Sequence, residues 1–180
     1  KKGESYMRNS NGHKVIPQGH GGMGIYSSYP LDSPASILSC LYSGADGSEI
    51  DIQMTSDSVL VAFHPEDLGE ATDKDGPVVA HTWAELSDAR FIGAPYSDHH
   101  ITRLDDLFAS LDNPAAYTFT FDIKIYPNGI GEEVFMDRMA RAVIRLIDRF
   151  GIADRVHLES QRTYMLAALK TRHSGLKLFY

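Results

Sequence analysis

Short hydrophobic runs along the chain end repeatedly in an ionisable side chain. The segments 15–20 and 59–64 each finish at a histidine, after Val, Ile, Leu and Phe residues. The segments 44–52 and 118–125 instead alternate polar and apolar residues with the period of a β-strand. Six strands are predicted on this basis, at residues 15–20, 44–52, 59–64, 118–125, 155–159 and 176–180.

Helical signals separate these strands. Ser33-Pro34 is an N-cap followed by proline at the first helical position, and Gly44 predicts the end of that helix. Thr82 and Glu85 have the spacing of a capping box. Apolar residues at helical spacing predict further helices over 104–111, from Glu132 to Phe150 with Gly151 as the stop, and after Ser160.

The buried faces of the last two helices also follow from the spacing. The long helix is predicted to bury Val134, Phe135, Met139, Val143 and Ile147, and the final helix Leu166 and Leu169.

Strands alternating with helices are typical of a parallel α/β protein. Ionisable residues at strand ends favour a (β/α)8 TIM barrel, whose functional residues lie at the C-terminal ends of the strands. Such a barrel usually needs about 250 residues, and this chain has 180. The prediction is therefore a barrel truncated after about six strands, with the C-terminal part missing.

One connection is irregular. Too few residues separate Asp51 from His64 for a crossover helix between parallel strands. An extended return through Gln53–Ser58 is the predicted solution.

Composition is typical of one globular domain with a sizeable core, since 43% of the residues are hydrophobic and 23% are charged. Residues 1–14 are polar and are interpreted as an N-terminal arm, and residues 15–180 as the barrel domain. A net charge of −7 argues against a nucleic-acid partner. The single cysteine, Cys40, excludes an internal disulfide, and no apolar run is long enough to predict a transmembrane segment. The oligomeric state is left open.

Three carboxylates are the candidate metal ligands. Glu49 and Asp51 share one face of their strand, and Asp122 ends the next alternating strand. Oxygen ligands without cysteine suit Mg²⁺ or Ca²⁺. A lone Glu-x-Asp pair is more often a solvated face, but this pair lies beside a Gly-Ala-Asp motif and is followed by a histidine.

His20, His64 and Lys124 are the other candidates. Two histidines beside a metal site supply a proton acceptor and a proton donor near neutral pH, and a lysine suits an anionic phosphate group. Together with the carboxylates they point to phosphoryl transfer. Two alternatives stay open: a simple ion pair between Asp122 and Lys124, and either a substrate contact or a polar strand end for Glu159, which follows His157.

The chain resembles the glycerophosphodiester phosphodiesterases from about Val15 onward. The resemblance rests on the order and spacing of Gln18-Gly19-His20-Gly21-Gly22, Pro30-Leu31-Asp32-Ser33, 44–51, Phe63-His64, 82–86 and Asp122-Ile123-Lys124.

This resemblance implies a metal-binding barrel that hydrolyses a small phosphodiester. Glu49, Asp51 and Asp122 would hold the cation, and His20 and His64 would form the acid–base pair. A neighbouring substrate hydroxyl would attack the phosphorus, and water would then open the cyclic phosphate. The compartment is left open between periplasm or exterior and cytoplasm, with the resemblance slightly favouring the bacterial envelope.

Four positions depart from the family pattern. Gly21 stands where arginine is usual, Leu31 where glutamate is usual, Pro65 where aspartate is common, and Asp122 where glutamate is frequent. Loss of a bidentate arginine weakens phosphate binding, so the substrate is expected to differ from a simple glycerophosphodiester.

Two other functions are therefore kept beside glycerophosphodiester hydrolysis. One is a phospholipase D-like activity on lysolipids that ends in a cyclic phosphate, which the Asp122 substitution favours. The other is a non-catalytic metal or phosphate-binding barrel, which Gly21 and Leu31 favour and the retained histidine pair opposes.

Overall fold

A mostly parallel β-sheet lies at the centre of residues 7–180, the part of the chain that the computed structural model describes. Helices cover one face of this sheet, as expected when strands alternate with helices. The strands are β1 (Gln18–His20), β2 (Gly47–Met54), β3 (Leu60–Ala62), β4 (Thr102–Arg103), β5 (Thr118–Ile123), β6 (Val156–Glu159) and β7 (Lys177–Phe179). The α-helices are α1 (Pro34–Tyr42), α2 (Trp83–Leu86), α3 (Leu104–Ala109), α4 (Glu132–Phe150) and α5 (Thr163–Arg172).

The strands β1, β2, β5, β6 and β7 pair in parallel, and the sheet is open. The order is β4-β3-β2-β5-β6-β7, and β1 pairs with the first half of β2. This arrangement confirms the predicted α/β class and is that of an open part of a (β/α)8 barrel. None of the helices among residues 7–180 is both long and apolar enough to cross a lipid bilayer. The exposed residues 7–14 belong to the predicted arm, whose residues 1–6 lie outside the described part.

The strand before His64 does not run in the predicted direction. The strand β3 is antiparallel to β2, with Met54 opposite Leu60 and Ile52 opposite Ala62. Instead of crossing over, β2 continues past the level of its neighbours and the chain returns through a tight hairpin. Residues 7–180 therefore form five parallel strands and an antiparallel pair, β3 and β4, in place of six equivalent strands. The buried character predicted for β3 is correct, since all three of its residues are buried.

Parallel register brings the polar faces of the strands to common levels. Asp51 is the Cα partner of Asp122, and Asp122 that of Glu159. One level earlier, His20 pairs with Glu49, and Glu49 with Thr120. Side chains at paired positions of adjacent strands point to the same face, so the register alone gathers the candidate residues.

The opposite face of the sheet forms the main core. Ile50, Phe119 and Phe121 are fully buried against helices α3 and α4, and Phe108 of α3 packs edge-on against both phenylalanines. The predicted ends of α4 are confirmed, with Gly151 in the left-handed region at φ 63°. Two predicted core positions are wrong or incomplete: Val134 is exposed, and Leu166 is only half-buried, because the adjacent residues face the sheet.

A second, smaller core lies under the segment 65–101, which connects β3 to β4. This segment contains two 3-10 turns and the short helix α2, and the capping box predicted for Thr82 and Glu85 is present. The buried residues of this second core are Val61, Phe63, Leu68, Val78, Leu86, Ala89, Phe91 and Ile101. The segment is therefore packed onto β3 by its own apolar cluster, beside the polar ends of the parallel strands.

Candidate active site

The three predicted metal ligands converge. Glu49 and Asp51 lie two residues apart on β2, and Asp122 is the register partner of Asp51 on β5. One carboxylate oxygen from each residue lies within 4.8 Å of the other two. Alternation along one strand and pairing across two strands are sufficient to build this cluster.

Lys124 neutralises part of the negative charge of the carboxylate cluster. The Nζ atom lies 2.8 Å from Asp51 Oδ1 and 2.6 Å from Asp122 Oδ2. Burial lowers the pKa of Lys124, but the hydrogen bonds to Asp122 and Asp51 outweigh burial and the pKa is raised. The lysine is therefore a permanent cation, and one positive charge faces three carboxylates.

A divalent cation would balance the negative charge that Lys124 leaves on the carboxylate cluster. Asp51 is almost fully buried, and its Oδ2 atom has no hydrogen-bond partner among the described residues. Burial, followed by the charge of Asp51, raises the pKa of Glu49 to about 7, against the opposing effect of the hydrogen bond from the Gly21 N–H. Excess negative charge and an unpartnered buried oxygen are the conditions that a hard cation relieves. The donor set consists of oxygen atoms, as Mg²⁺ and Ca²⁺ prefer.

A fourth carboxyl group, missed at the sequence level as a site residue, lies beneath the cluster. Asp32 is fully buried, and its Oδ1 accepts the backbone N–H of Asp51 at 3.2 Å. Burial, followed by the charge of Asp51, raises the pKa of Asp32 well above its ordinary value. The backbone at Asp32 is left-handed with φ 62°, a conformation that aspartate and asparagine tolerate better than most residues. That preference was the available signal for Asp32, in a motif where Ser33 was interpreted as the helix cap and Leu31 as a departure from the family pattern.

His20 is anchored through its ring. Its Nδ1 lies 3.1 Å from Glu49 Oε2, which also accepts the Gly21 N–H at 3.1 Å. With a cation bound, Glu49 would be ionised and its carboxylate could only accept hydrogen bonds, so this contact would place a proton on Nδ1 and leave Nε2 as the proton acceptor. The His20 side chain is 67% exposed, so Nε2 is accessible to a substrate.

His64 is held through its backbone instead. The neighbouring Phe63 N–H donates to Asp51 O at 3.0 Å, which fixes the level of His64 beside the carboxylates. The buried side chain of Gln53 donates from Nε2 to Phe63 O at 2.8 Å and to Pro65 O at 2.6 Å. One amide group thus clamps the chain on both sides of the histidine.

Gln53 is a second residue that sequence reasoning missed. It continues the alternation of Glu49 and Asp51 on β2, so the polar face of that strand is one position longer than interpreted. The signal was present in the pattern, but its partner could be known only once the hairpin was seen.

Glu159 lies apart from the cluster. It is exposed on β6 beside Asp122 and lines a separate cavity of about 370 Å³ with Thr120, His157 and Phe179. Burial, followed by the charge of Lys177, lowers the pKa of His157. The structure therefore gathers Glu49, Asp51 and Asp122 within 4.8 Å, with Lys124 bonded to the two aspartates. His20 is attached to Glu49, and Glu159 lies on the neighbouring strand.

The two departures at Gly21 and Leu31 are neighbours in space. A Cβ atom added at Gly21 would lie 2.3 Å from Leu31 Cδ1 and 2.4 Å from Leu31 Cγ. Gly21 also has a positive φ of 52°, which favours glycine. The leucine side chain therefore occupies the space that any side chain at position 21 would enter.

Known proteins resemble this chain in sequence and in structure. The family model of the glycerophosphoryl diester phosphodiesterases matches residues 24–179. The chain belongs to this family. The resemblance read from the spacing of its histidine and carboxylate motifs is thus confirmed.

Similar family members come from several bacteria. The chain is 28% identical to a glycerophosphodiester phosphodiesterase of Bacillus altitudinis over 164 residues, 87% of this chain and 59% of that protein. It is also 28% identical to one from Caldanaerobacter subterraneus over 156 residues, 83% of this chain and 60% of that protein. The chain thus spans about three fifths of the length of these curated relatives.

Solved structures of the family share the fold. The glycerophosphodiester phosphodiesterase from Agrobacterium tumefaciens has a TM-score of 0.73 at 20% identity, covering 91% of this chain and 66% of that one. A phosphodiesterase from Oleispira antarctica, solved in complex with the product sn-glycerol-3-phosphate, has a TM-score of 0.74 at 20% identity, covering 91% of this chain and 65% of that one.

Proposed function

We propose that the protein is a metal-dependent phosphodiesterase that hydrolyses a glycerophosphodiester, or a related small diester, to an alcohol and glycerol phosphate. The observation that carries this proposal is the carboxylate cluster of Glu49, Asp51 and Asp122, with His20 attached to one of its members. Membership of the family supports the reaction class. The relatives named as glycerophosphodiester phosphodiesterases support the substrate class.

The carboxylates would hold Mg²⁺ or Ca²⁺. When bound, such a cation polarises a phosphoryl oxygen and stabilises the negative charge that develops on it. Lys124, already between Asp51 and Asp122, supplies a second positive charge at the same edge of the sheet. Phosphate binding thus relies on these charges, since Gly21 provides no guanidinium.

The two histidines carry the protons. The Nε2 atom of His20 takes the proton of a substrate hydroxyl as its oxygen bonds to phosphorus, and His64 donates a proton to the alcohol oxygen as its bond to phosphorus breaks. A cyclic phosphate results. Water then attacks it with the roles reversed, His64 accepting the water proton and His20 protonating the ring oxygen that leaves. Each histidine thereby returns to its starting state.

Product analysis tests this proposal. The purified protein is incubated with glycerophosphodiesters and lysophospholipids, with Mg²⁺, with Ca²⁺ and with chelator. The expected result is cation-dependent release of glycerol phosphate that falls about 10²- to 10⁴-fold in His64→Ala, the usual contribution of a general acid or base. His13→Ala, an exposed histidine of the arm, is the matched control and should retain activity.

Two outcomes would contradict the proposal in different ways. A cyclic phosphate that accumulates as the end product would indicate the phospholipase D-like reaction, in which water does not complete the second step. Tight cation binding without turnover on any of the diesters would indicate a binding protein.

A further inference from the structure

An apolar cavity of about 360 Å³ opens directly beside His64. Its walls include Leu31, Phe63, Phe91 and Tyr96. Cavities of this size and character are typical of small-molecule sites. Apart from His64 and Glu70, every residue that lines it is apolar or aromatic.

Two separate parts of the chain build these walls. One is the loop 23–31 that follows β1, and the other is the segment 65–101. The Tyr96 hydroxyl donates to Ser27 O at 3.0 Å and joins the two parts. Phe63 and Phe91 pack together with ring centroids 6.2 Å apart. The cavity is therefore a feature of the folded structure, held by a hydrogen bond and by the second core.

The cavity has one candidate histidine in its wall, and another wall residue lies against the backbone that follows the second histidine. His64 is itself part of the lining. Leu31, which also lines the cavity, covers Gly21, the residue directly after His20. A group bound here would thus lie next to His64, one of the two residues that would exchange protons with the substrate.

Its chemistry does not suit a charged or strongly polar group. The lining contains no lysine or arginine, and the Glu70 carboxylate faces the backbone N–H of Asp67 in the cap of its own turn. Ile25 and Ile92 line the cavity and are 59% and 49% exposed, so the apolar surface continues to solvent. Apolar surface that is open to solvent at a site is most readily covered by an apolar ligand.

We propose that this cavity binds the hydrocarbon part of an amphiphilic phosphodiester, so that the preferred substrate carries an alkyl or acyl chain. The proposal rests on the proposed function, because it places the chain beside the phosphodiester that His20 and His64 would cleave. It also gives Leu31 a role: the residue that replaces the usual glutamate forms part of the apolar wall.

A chain-length series tests the proposal without requiring turnover. Alkylphosphocholines have a phosphodiester and a hydrocarbon chain but no neighbouring hydroxyl, so the proposed first step cannot cleave them. Their dissociation constants are measured by calorimetry below the micelle concentration, with cation present. Each added methylene is expected to tighten binding by up to about fourfold until the cavity is full, the ratio that corresponds to about 0.8 kcal/mol per buried methylene.

Variants locate the effect. Ile92→Asn and Leu31→Asn place a polar amide in the wall and should reduce the tightening per methylene. Val134→Asn, a similarly exposed apolar position on α4 outside the cavity, should leave it unchanged. Affinity that does not depend on chain length would overturn the proposal, and so would an equal dependence in all three variants, which would indicate adsorption elsewhere.

The outcome is separable from that of the proposed function. Hydrolysis of short glycerophosphodiesters without a chain-length effect would remove only the cavity proposal. A chain-length effect in a protein that cleaves no diester would remove the hydrolase proposal and leave the cavity as a lipid-binding site.

Discussion

The acidic cluster and the apolar cavity, which His64 lines, are built in opposite ways. The cluster is carried by two paired strands, where register alone decides which carboxylates meet. The cavity is carried by two irregular segments that depend on a small core and on the Tyr96 hydrogen bond. The proposed chemistry therefore depends on the sheet, whereas the proposed choice of substrate depends on the connections.

Loss of one carboxylate from the acidic cluster is expected to have the largest effect on turnover. Asp122→Asn removes one cation ligand and an ion-pair partner of Lys124, and turnover should fall at least about 10³-fold, as chelation should also do. Binding of alkylphosphocholine chains to the cavity should keep its dependence on chain length. Steady-state kinetics and calorimetry on the same preparation check both expectations.

Glu133→Gln, an exposed carboxylate at the start of α4, is the control for Asp122→Asn. Equal loss of turnover in both variants, or unchanged turnover in Asp122→Asn, would contradict the assignment of the cluster.

Gln53 links the acidic cluster to the cavity. It lies on the same strand as Glu49 and Asp51, and its amide holds the backbone around His64. Gln53→Met keeps the side-chain volume but leaves two carbonyl groups without a donor, at a cost of about 1–3 kcal/mol in the free energy of unfolding. Misplacement of His64 should lower kcat about 10- to 100-fold with little change in KM or in cation affinity.

A purely structural role of Gln53 would give a different result. The free energy of unfolding would then fall while the kcat of the folded fraction stayed near that of the unaltered protein. The kcat and its pH profile, measured well below the unfolding temperature, separate these outcomes.

The stability of the metal-free protein should depend on pH through Glu49. Its pKa in the folded state is raised from 4.5 to about 7, so the protonated form is favoured by folding. This contribution, up to about 3 kcal/mol, is fully present below pH 4.5 and is lost as the pH rises through about 7. The buried Asp32, whose pKa is also raised, acts in the same direction.

Chemical denaturation at pH 5 and at pH 8, with chelator and with Mg²⁺ or Ca²⁺, checks this expectation. Cation should restore stability at pH 8, where the carboxylates are ionised. Glu49→Gln mimics the protonated group and should reduce the difference between the two pH values. A metal-free protein that is more stable at pH 8 than at pH 5 would refute the argument.

A change at Gly21 is expected to act mainly on stability and to have the smallest effect on turnover. Gly21→Ala places a methyl group against Leu31 and imposes a left-handed backbone on alanine, for a combined cost of about 1–3 kcal/mol in the free energy of unfolding. Leu31→Ala in the same protein should remove the steric part, so the double variant should be less destabilised than the sum of the single variants. Strict additivity in thermal unfolding would show that the two residues do not interact.

Much of the fold and the cluster could be predicted from the sequence, because both depend on local periodicity. Alternation placed Glu49, Asp51 and Asp122 on polar faces, and cap residues marked the ends of α1 and α4. The failures lie where non-local contacts decide. An antiparallel return and a parallel strand have the same hydrophobic run, so the direction of β3 was not encoded in its residues.

The candidate site shows the same limit. The partner of Gln53 depends on the hairpin, and the contact between Gly21 and Leu31 depends on a turn that spans ten positions of the chain. Val134 fits the helical spacing of the core face but lies at its margin, so the packing direction of α4 leaves it exposed. The roles of the site residues, including that of Glu159, stay predictions.

The connection between β3 and β4 has a consequence for how this fold can diversify. A strand inside a parallel sheet cannot change length without shifting the register of its neighbours, and here that register unites Asp51 with Asp122. The connection over residues 65–101, which leaves the sheet after β3 and returns to it at β4, carries no such constraint. If the proposed function holds, insertions, deletions and substitutions there can accumulate over generations and alter which molecules are accepted, while the carboxylate cluster stays in register.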